Sequence, residues 1–301
     1  MVIIDYSGTC VAGVSAFFKD LESGSEAENR DLIRHVILQS IVYIRKKYNK
    51  RLYGEVVIAC DGHDYWRREH FVHYKAGRKK VREESKIDWE FLFKVFDEIR
   101  EDLINVFPYR VVLIDRAEAD DVIGVLTKYT QTNELVRTGL MFEPQNVVVV
   151  SEDLDFVQLH KYDNFRLWMP RKKKLHPLMG VKALSDFVVE HTVKAGDDGI
   201  PNILSADNVF VTEPKTRQTT VSAKRLAEFK ESGRDACRTD DERRGWDRNK
   251  LLIDLDRIPD KVANDIIEAY KIANVNNDRN DIFNYLIKRG CRQLLNSLED
   301  F

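Results

Sequence analysis

The sequence predicts an α/β fold: a mostly parallel central sheet flanked by helices, followed by a helical C-terminal region. Three observations predict it. Short apolar runs ending in acids (VIID, VVIACD, VVLID and VVVVSED) read as buried strands. Stretches with apolar residues at helical spacing lie between them, and strands alternating with helices imply a parallel sheet. After about residue 180 the strand signal fades and helical patterns dominate. The chain therefore divides into a core at 1–180 and a helical region at 181–301.

Residues 2–5 form the first strand, and LIRHVILQSIVYIRKKY carries a helix to about residue 48. EVVIACD (55–61) is the second strand. A basic segment occupies 66–82, and DWEFLFKVFDEIREDLI (88–105) is an amphipathic helix. YRVVLID (109–115) is the third strand, with a helix from about 118 to 130. NVVVVSED (146–153) is the fourth, its helix starting near Asp153. NFRLWMP and KKLHPL form a hairpin joined by RKKK at 171–174. KALSDFVVEHTV, TVSAKRLAEFKE, DKVANDIIEAYKIA and DIFNYLIKRGCRQLLNSL are helices. The polar stretch 231–250 reads as a long loop.

The 301 residues are 43% hydrophobic and 33% charged, which describes a soluble globular chain. The net charge of -2 does not suggest a nucleic-acid binder, but that charge is segregated along the chain. Cys10, Cys60, Cys237 and Cys291 are far apart with no CxxC, which argues against structural zinc and fits a reducing cytoplasm. No apolar stretch spans a membrane, and a strand begins at Val2, so no signal peptide is expected. No GxxxxGK[ST] occurs, which argues against a P-loop NTPase. No heptad run appears, so a monomer is expected.

Asp5, Asp61, Glu118, Asp120, Asp121, Asp153 and Asp155 stand where the four strands end. Singly, each has a plain structural explanation as a turn residue, helix cap or dipole partner. Together they would repel one another without a cation. Open α/β sheets bind ligands at the carboxyl ends of their strands. An all-carboxylate set suits Mg²⁺, with Mn²⁺ as a substitute. Two such ions can activate water, hold a leaving oxygen and neutralise a phosphate.

From Trp66 to Arg82 the chain holds Arg67, Arg68, Lys75, Arg78, Lys79, Lys80 and Arg82 against Glu69 alone. Trp66, Phe71 and Tyr74 interleave. Such segments contact phosphates through the cations and stack bases on the rings. Most charge runs are solvated faces, but this one follows Asp61 directly. His70 and His73 read as surface or packing residues. Arg171, Lys172, Lys173 and Lys174 are a weaker patch that a charged turn also explains.

The ordered blocks CDGHDYWRREHFVHYKAGRKK, EADD, SEDLDFVQL and GDDGIPNI resemble the 5′-nuclease (flap endonuclease) superfamily. RHVILQSI, DYWRR, REESKIDWE and DFVQLHKY resemble in particular its ribonuclease H branch from T-even-type bacteriophages. The resemblance covers essentially the whole chain. It implies a PIN/5′-nuclease-like core, a basic arch at about 65–90, and a helix–hairpin–helix duplex-binding module in 181–301. It implies a Mg²⁺-dependent 5′ to 3′ exonuclease and flap endonuclease. Its substrates would be RNA primers in RNA–DNA hybrids, 5′ flaps and forks met during lagging-strand replication.

By family position, Asp5, Asp61, Glu118, Asp120 and Asp153 resemble ligands of a first ion. Asp155 and an acid of GDDGIPNI resemble those of a second, and Asp121 would act through water. Tyr74, Lys75 and Arg78 resemble the arch residues at the scissile bond. Trp66, Arg67, Arg68, Lys79, Lys80 and Arg82, with Gly199, Ile200 and Asn202, would contact nucleic acid. The resemblance also implies a monovalent cation at the hairpin, single-strand-binding protein and sliding clamp as partners, and a host-cytoplasm location. The usual GDxxDN becomes GDDGIPN here: alignment on IP selects Asp198, alignment on GD selects Asp197. Asn202 replaces a hairpin glycine, and asparagine tolerates positive φ. Two rivals stand beside this reading: a phosphohydrolase of small phosphorylated substrates, and a non-catalytic forked-DNA-binding module.

Overall fold

The structure is a computed structural model that describes all residues except 22–23, 133–136, 139–140, 143 and 213–215. In chain order its strands are β1 (Val2–Asp5), β2 (Val56–Ala59), β3 (Arg110–Val112), β4 (Arg137–Thr138), β5 (Met141–Phe142), β6 (Val147–Val150), β7 (Phe165–Met169) and β8 (Lys174–Leu175). The main helices are α1 (Tyr6–Val14), α2 (Phe18–Leu21), α3 (Glu26–Lys47), α4 (Lys50–Tyr53), α5 (Trp66–His70), α6 (Arg78–Glu83) and α7 (Trp89–Val106). They continue with α8 (Ala119–Thr132), α9 (Val181–Lys194), α10 (Ala223–Ser232), α11 (Asp240–Ile253), α12 (Asp260–Ile272) and α13 (Arg279–Lys288).

The central sheet has the order β3-β2-β1-β6-β7-β8. All its neighbours are parallel except β7 and β8, which form the expected hairpin. β7 does more than the hairpin requires: it also pairs in parallel with β6, Val148 opposite Arg166. The strand order runs outward from β1 in one direction and from β6 in the other. Their shared boundary is the switch point where such sheets open a crevice.

The central strands β1, β2 and β6 are apolar on both faces, as strands covered on two sides must be. Val2, Ile4, Val56, Ile58, Val148 and Val150 face one layer; Met1, Ile3, Val57, Ala59, Val147 and Val149 face the other. The first layer holds α3 and α7. In α3, Ile33, Ile37, Leu38, Ile41 and Ile44 recur at helical spacing, and Ser25 with Glu28 forms its capping box. In α7 the inward stripe is Leu92, Val95, Phe96, Ile99 and Leu103, capped by Asp88. Burying each such side chain contributes roughly 1.5–3 kcal/mol. The second layer holds α8 and α12, through Val122, Ile123, Leu126, Val262 and Ile266. Thus α12 packs on one face of the sheet, while α13 joins the other through Ile282 and Leu286.

Between them, α9, α10 and α11 enclose a separate small core of Val193, Ile203, Phe229, Cys237 and Trp246. The hairpin region expected there comprises α9, a connection at 195–222 with a 3-10 turn at Asp197–Gly199, and α10 packed against α9. The expected loop at 231–250 is corrected. It contains the end of α10, a 3-10 turn at Gly233–Ala236 and most of α11. Thr239 caps α11 by accepting from Glu242 N at 3.2 Å, three acids occupy its first turn, and Trp246 and Leu252 point inward. No described helix is long and apolar enough to cross a membrane.

Candidate active site

At the switch point, β1 ends on Asp5, which caps α1. Its carboxylate accepts from Gly8 N at 3.0 Å and from Ser151 Oγ, just past β6, at 2.8 Å. Asp61, two residues beyond β2, accepts from Ala119 N of α8 at 3.0 Å. Gly62 follows because nothing larger fits: a Cβ there would stand 1.9 Å from the Ile114 carbonyl oxygen. Asp153 caps the 3-10 helix Leu154–Lys161 through Asp155 N at 2.8 Å. Asp120 lies in the first turn of α8 and shares a cleft with Asp155, Asp197 and Asp198.

Burial pushes the Asp5 carboxyl up to about 6, and Asp61 and Asp153 add to the shift. Burial, then Asp153, Asp198 and Asp197, pushes Asp155 up to about 8. Asp120 rises well above the usual range, through burial first and then Asp153. Among the described residues no lysine or arginine forms an ion pair with Asp5, Asp61, Asp120, Asp153 or Asp155. This oxygen-only, uncompensated set fits hard divalent cations. Among the described residues no three ligating side chains stand close enough to cage an ion unaided.

The neighbouring acids differ. Glu118 and Asp121 are fully buried and meet Arg67: Nη1 donates to Glu118 Oε2 at 2.8 Å and to Asp121 Oδ2 at 2.9 Å, and Nη2 lies 2.8 Å from Asp121 Oδ1. Trp66 Nε1 donates to Asp121 at 3.1 Å, and Arg67 Nε to the Leu252 carbonyl at 2.8 Å. Tyr74 OH donates to Glu118 at 2.9 Å, and Lys75 Nζ pairs with the other Glu118 oxygen. Asp198 receives Arg78, lies 3.4 Å from Lys75 Nζ and takes a long bond of 3.3 Å from Tyr74 OH. Lys75 N also donates to the Asp198 carbonyl at 2.7 Å, with both residues at positive φ (58° and 54°). Strained backbone of this kind persists where its surroundings over-determine it. Gly199 beside it has φ 76°, and a Cβ would meet His73 O at 2.9 Å.

Tyr74, Lys75 and Asp198 thus form a spur between two clefts. Asp120, Asp155 and Asp197 line one of about 510 Å³. Asp61, Lys75, Arg78, Arg82 and Gly199 line another of about 1070 Å³, with α6 on its wall.

The residues expected to contact nucleic acid lie in different surroundings. Trp66 and Arg67 are 1% and 3% exposed and serve the buried acids. Arg68, Lys79, Lys80 and Arg82 are exposed on the arch. Ile200 is buried with Phe71, Tyr74 and Leu252. Asn202 is buried and is not among the positive-φ residues. Its side chain instead organises the connection, donating to Thr219 O at 2.8 Å and accepting from Leu204 N and Ser205 Oγ. Asp121, expected to reach a metal through water, has its carboxylate engaged by Arg67, Trp66 and Glu118 N. Two residues escaped sequence analysis. Ser151 ties β6 to Asp5. His191, in the last turn of α9, places Nε2 3.8 Å from Asp155 Oδ1. A lone histidine in a helical pattern carries no motif, so only its position upstream of GDD could have signalled it.

Comparison with known proteins defines the class. The family described as 5′–3′ exonuclease, N-terminal resolvase-like domain, matches residues 4–188, and that described as T4 RNase H, C terminal, matches 188–301. The chain is 30% identical to ribonuclease H of Enterobacteria phage T4, over 99% of this chain and 95% of that one. In fold it resembles the bacteriophage T5 flap endonuclease. A complex of that enzyme with DNA and metal ions matches with TM-score 0.61 and 18% identity, covering 90% of this chain and 98% of that chain. The same protein crystallised with metal ions matches with TM-score 0.59 and 18% identity, covering 89% and 98%. The chain belongs to the 5′–3′ exonuclease family and is a 5′-nuclease, a phosphodiester hydrolase.

Proposed function

We propose that this 5′-nuclease is a Mg²⁺-dependent 5′ to 3′ exonuclease and flap endonuclease. It removes RNA primers and 5′ flaps at lagging-strand forks and leaves 5′-phosphates. The single observation that carries this is the flank of uncompensated acids, Asp5, Asp61, Asp120, Asp153 and Asp155, beside the basic arch. Asp5, Asp61, Asp120 and Asp153 would hold one divalent ion, and Asp155 with Asp197 a second. Bound there, the two ions supply Lewis-acid neutralisation of the phosphate and acidify the attacking water. Asp121 and Glu118 act beneath them, holding Arg67, Tyr74 and Lys75 in register.

Lys75 and Arg78 neutralise the scissile phosphate, exchanging their acid partners for it. The exposed arch residues Arg68, Lys79 and Arg82 track the unpaired 5′ strand. The region from 181 onward, centred on α9, the connection at 195–222 and α10, grips the duplex.

The test is cleavage of 5′-labelled RNA–DNA hybrid and 5′-flap DNA with and without Mg²⁺, wild type beside Asp155→Asn. Short 5′-phosphorylated products from wild type alone are expected, with flap binding retained by the variant. Near-normal turnover by Asp155→Asn would refute the assignment. Tight binding without cleavage by either protein would favour the non-catalytic module.

A further inference from the structure

We propose that Phe93, backed by Trp89, is a stacking site for an unpaired nucleobase of the 5′ strand. This rests on the flap-cleaving reading above and names how that strand is recognised. Single-stranded nucleic acid is held by cations that follow its phosphates and by rings on which its bases stack. The rings interleaved with the basic segment, Trp66, Phe71 and Tyr74, are buried and present no face to a base. The cleft of about 1070 Å³ supplies others: Trp89 and Phe93 line it together with Lys75, Arg78 and Arg82. Cations for phosphates and rings for bases thus share one cavity, as large as the roomiest ligand pockets.

Both rings belong to α7, four residues apart and so on one side of the helix. Phe93 is 39% exposed, although Leu92, Val95 and Phe96 around it are buried in the core. A single exposed ring needs no explanation, but this one is built into a stack. Trp89 lies against it with centroids 5.7 Å apart and planes at 30°. Trp89 is itself fixed: Nε1 donates to Ser85 Oγ at 2.7 Å, and Phe18 meets its ring at 72°, 6.4 Å away. The Arg82 guanidinium lies over Phe93, 5.6 Å from the ring centroid. Arg82 is exposed, so it can yield that face to a base and turn to the adjoining phosphate. The indole N–H is committed to Ser85 and Phe93 has no polar side-chain atom, so the pair reads no base edge. A base still paired and stacked in a duplex cannot offer its face to the ring. The site therefore selects an unpaired strand without selecting its sequence. The rival role is packing alone, in which the two rings only close the outer edge of the core.

The test is fluorescence anisotropy with the full chain in a chelator, which prevents cleavage. Two 5′-flap DNAs are compared, alike except that one carries abasic sites in the flap nucleotides next to the junction. Wild type should bind the base-bearing flap about 5-fold or more tighter. Phe93→Leu, which keeps the apolar bulk but not the ring, should bind both flaps alike, and Phe93→Tyr should restore the difference. Equal binding of both flaps by wild type, with Mg²⁺-dependent flap cleavage intact, would overturn the stacking site alone. So would a difference that survives in Phe93→Leu. Wild type that binds neither flap would overturn the flap-cleaving reading as well. If Phe93→Leu fails to fold, Phe93→Met takes its place, and equal binding by wild type still rejects the proposal.

Discussion

Replacing Arg67 with methionine separates two roles for the basic segment. Its guanidinium is 3% exposed, donates to Glu118, to Asp121 Oδ2 and to the Leu252 carbonyl at 2.8–2.9 Å, and stands 2.8 Å from Asp121 Oδ1. Removing one partner of a buried ion pair costs about 3–5 kcal/mol, because the remaining charges stay buried. Here Lys75 still reaches Glu118 and Trp66 still reaches Asp121, which places the loss near the lower end. For a chain of this size 1 kcal/mol moves Tm by about 2 °C, so a fall of roughly 6–8 °C is expected. Calorimetry in a chelator reads it without cation stabilisation. Arg67→Lys should recover part of the loss, since it restores charge but not the planar fork. Flap affinity measured against salt supplies the contrast. Loss of a phosphate contact flattens the log–log slope by about 0.7–0.9, whereas a buried counter-ion leaves it unchanged. An unshifted Tm together with a flatter salt dependence would refute the structural role.

Lys75→Ala should lower kcat by about 10²–10³ while changing flap affinity only a few-fold, read by single-turnover cleavage beside anisotropy binding. Equal losses in both would reduce Lys75 to a phosphate contact. His160 is buried with no hydrogen-bond partner, and burial, then His176 and Arg166, lowers its pKa from 6.5 to about 4. Its folded value lies below its unfolded one, so its contribution is intact above pH 6.5 and falls as pH drops toward 4. That loss is about 2 kcal/mol after discounting for solvent screening, and His160→Leu should remove it from the stability–pH curve. A curve parallel to wild type through that window would reject the assignment. Thr239→Ala should cost about 1 kcal/mol in urea unfolding by removing the α11 cap. No change would mean that the acids of the first turn suffice.

Four of the parallel strands were legible because a strand covered on both faces is an unbroken apolar run, as VVVV at 147–150 shows. Their ends were legible too, since acids after such runs reach the same edge whatever the strand order. The pairing of β7 with β6 was not, because FRLWM alternates as a hairpin arm would and its second neighbour is set by the sheet. α11 was hidden by its charge: a helix stabilised by a cap and by pairs such as Arg243–Asp240 shows little apolar periodicity. Arg67 and Arg68 mark the limit most sharply. They are adjacent and identical, yet one is buried and the other exposed. What decides between them are Glu118 and Asp121, 51 and 54 positions further on.

On the proposed reading, the charge distribution links the basic segment to the acids. Glu118 and Asp198 neutralise Lys75 and Arg78, while Asp5, Asp120 and Asp155 have no lysine or arginine ion-pair partner among the described residues and hold their protons to higher pH. A divalent ion entering among the latter favours their charged forms. With an ion held there, the field that Asp120 casts on Lys75 would weaken, and Lys75 would leave Glu118 and Asp198 more readily. On the proposed reading, a phosphodiester bound beside Lys75 and Arg78 would meet cations ready to exchange one anion for another. Cation and nucleic acid should therefore bind with positive coupling. By linkage, flap DNA should tighten metal binding by the same factor that metal tightens flap binding. A thermodynamic cycle measured with non-cleavable flap DNA and Mg²⁺ should show a coupling factor above one. That factor should fall toward one in Lys75→Ala, whereas a factor of one in wild type would mean that the spur does not connect the two sites.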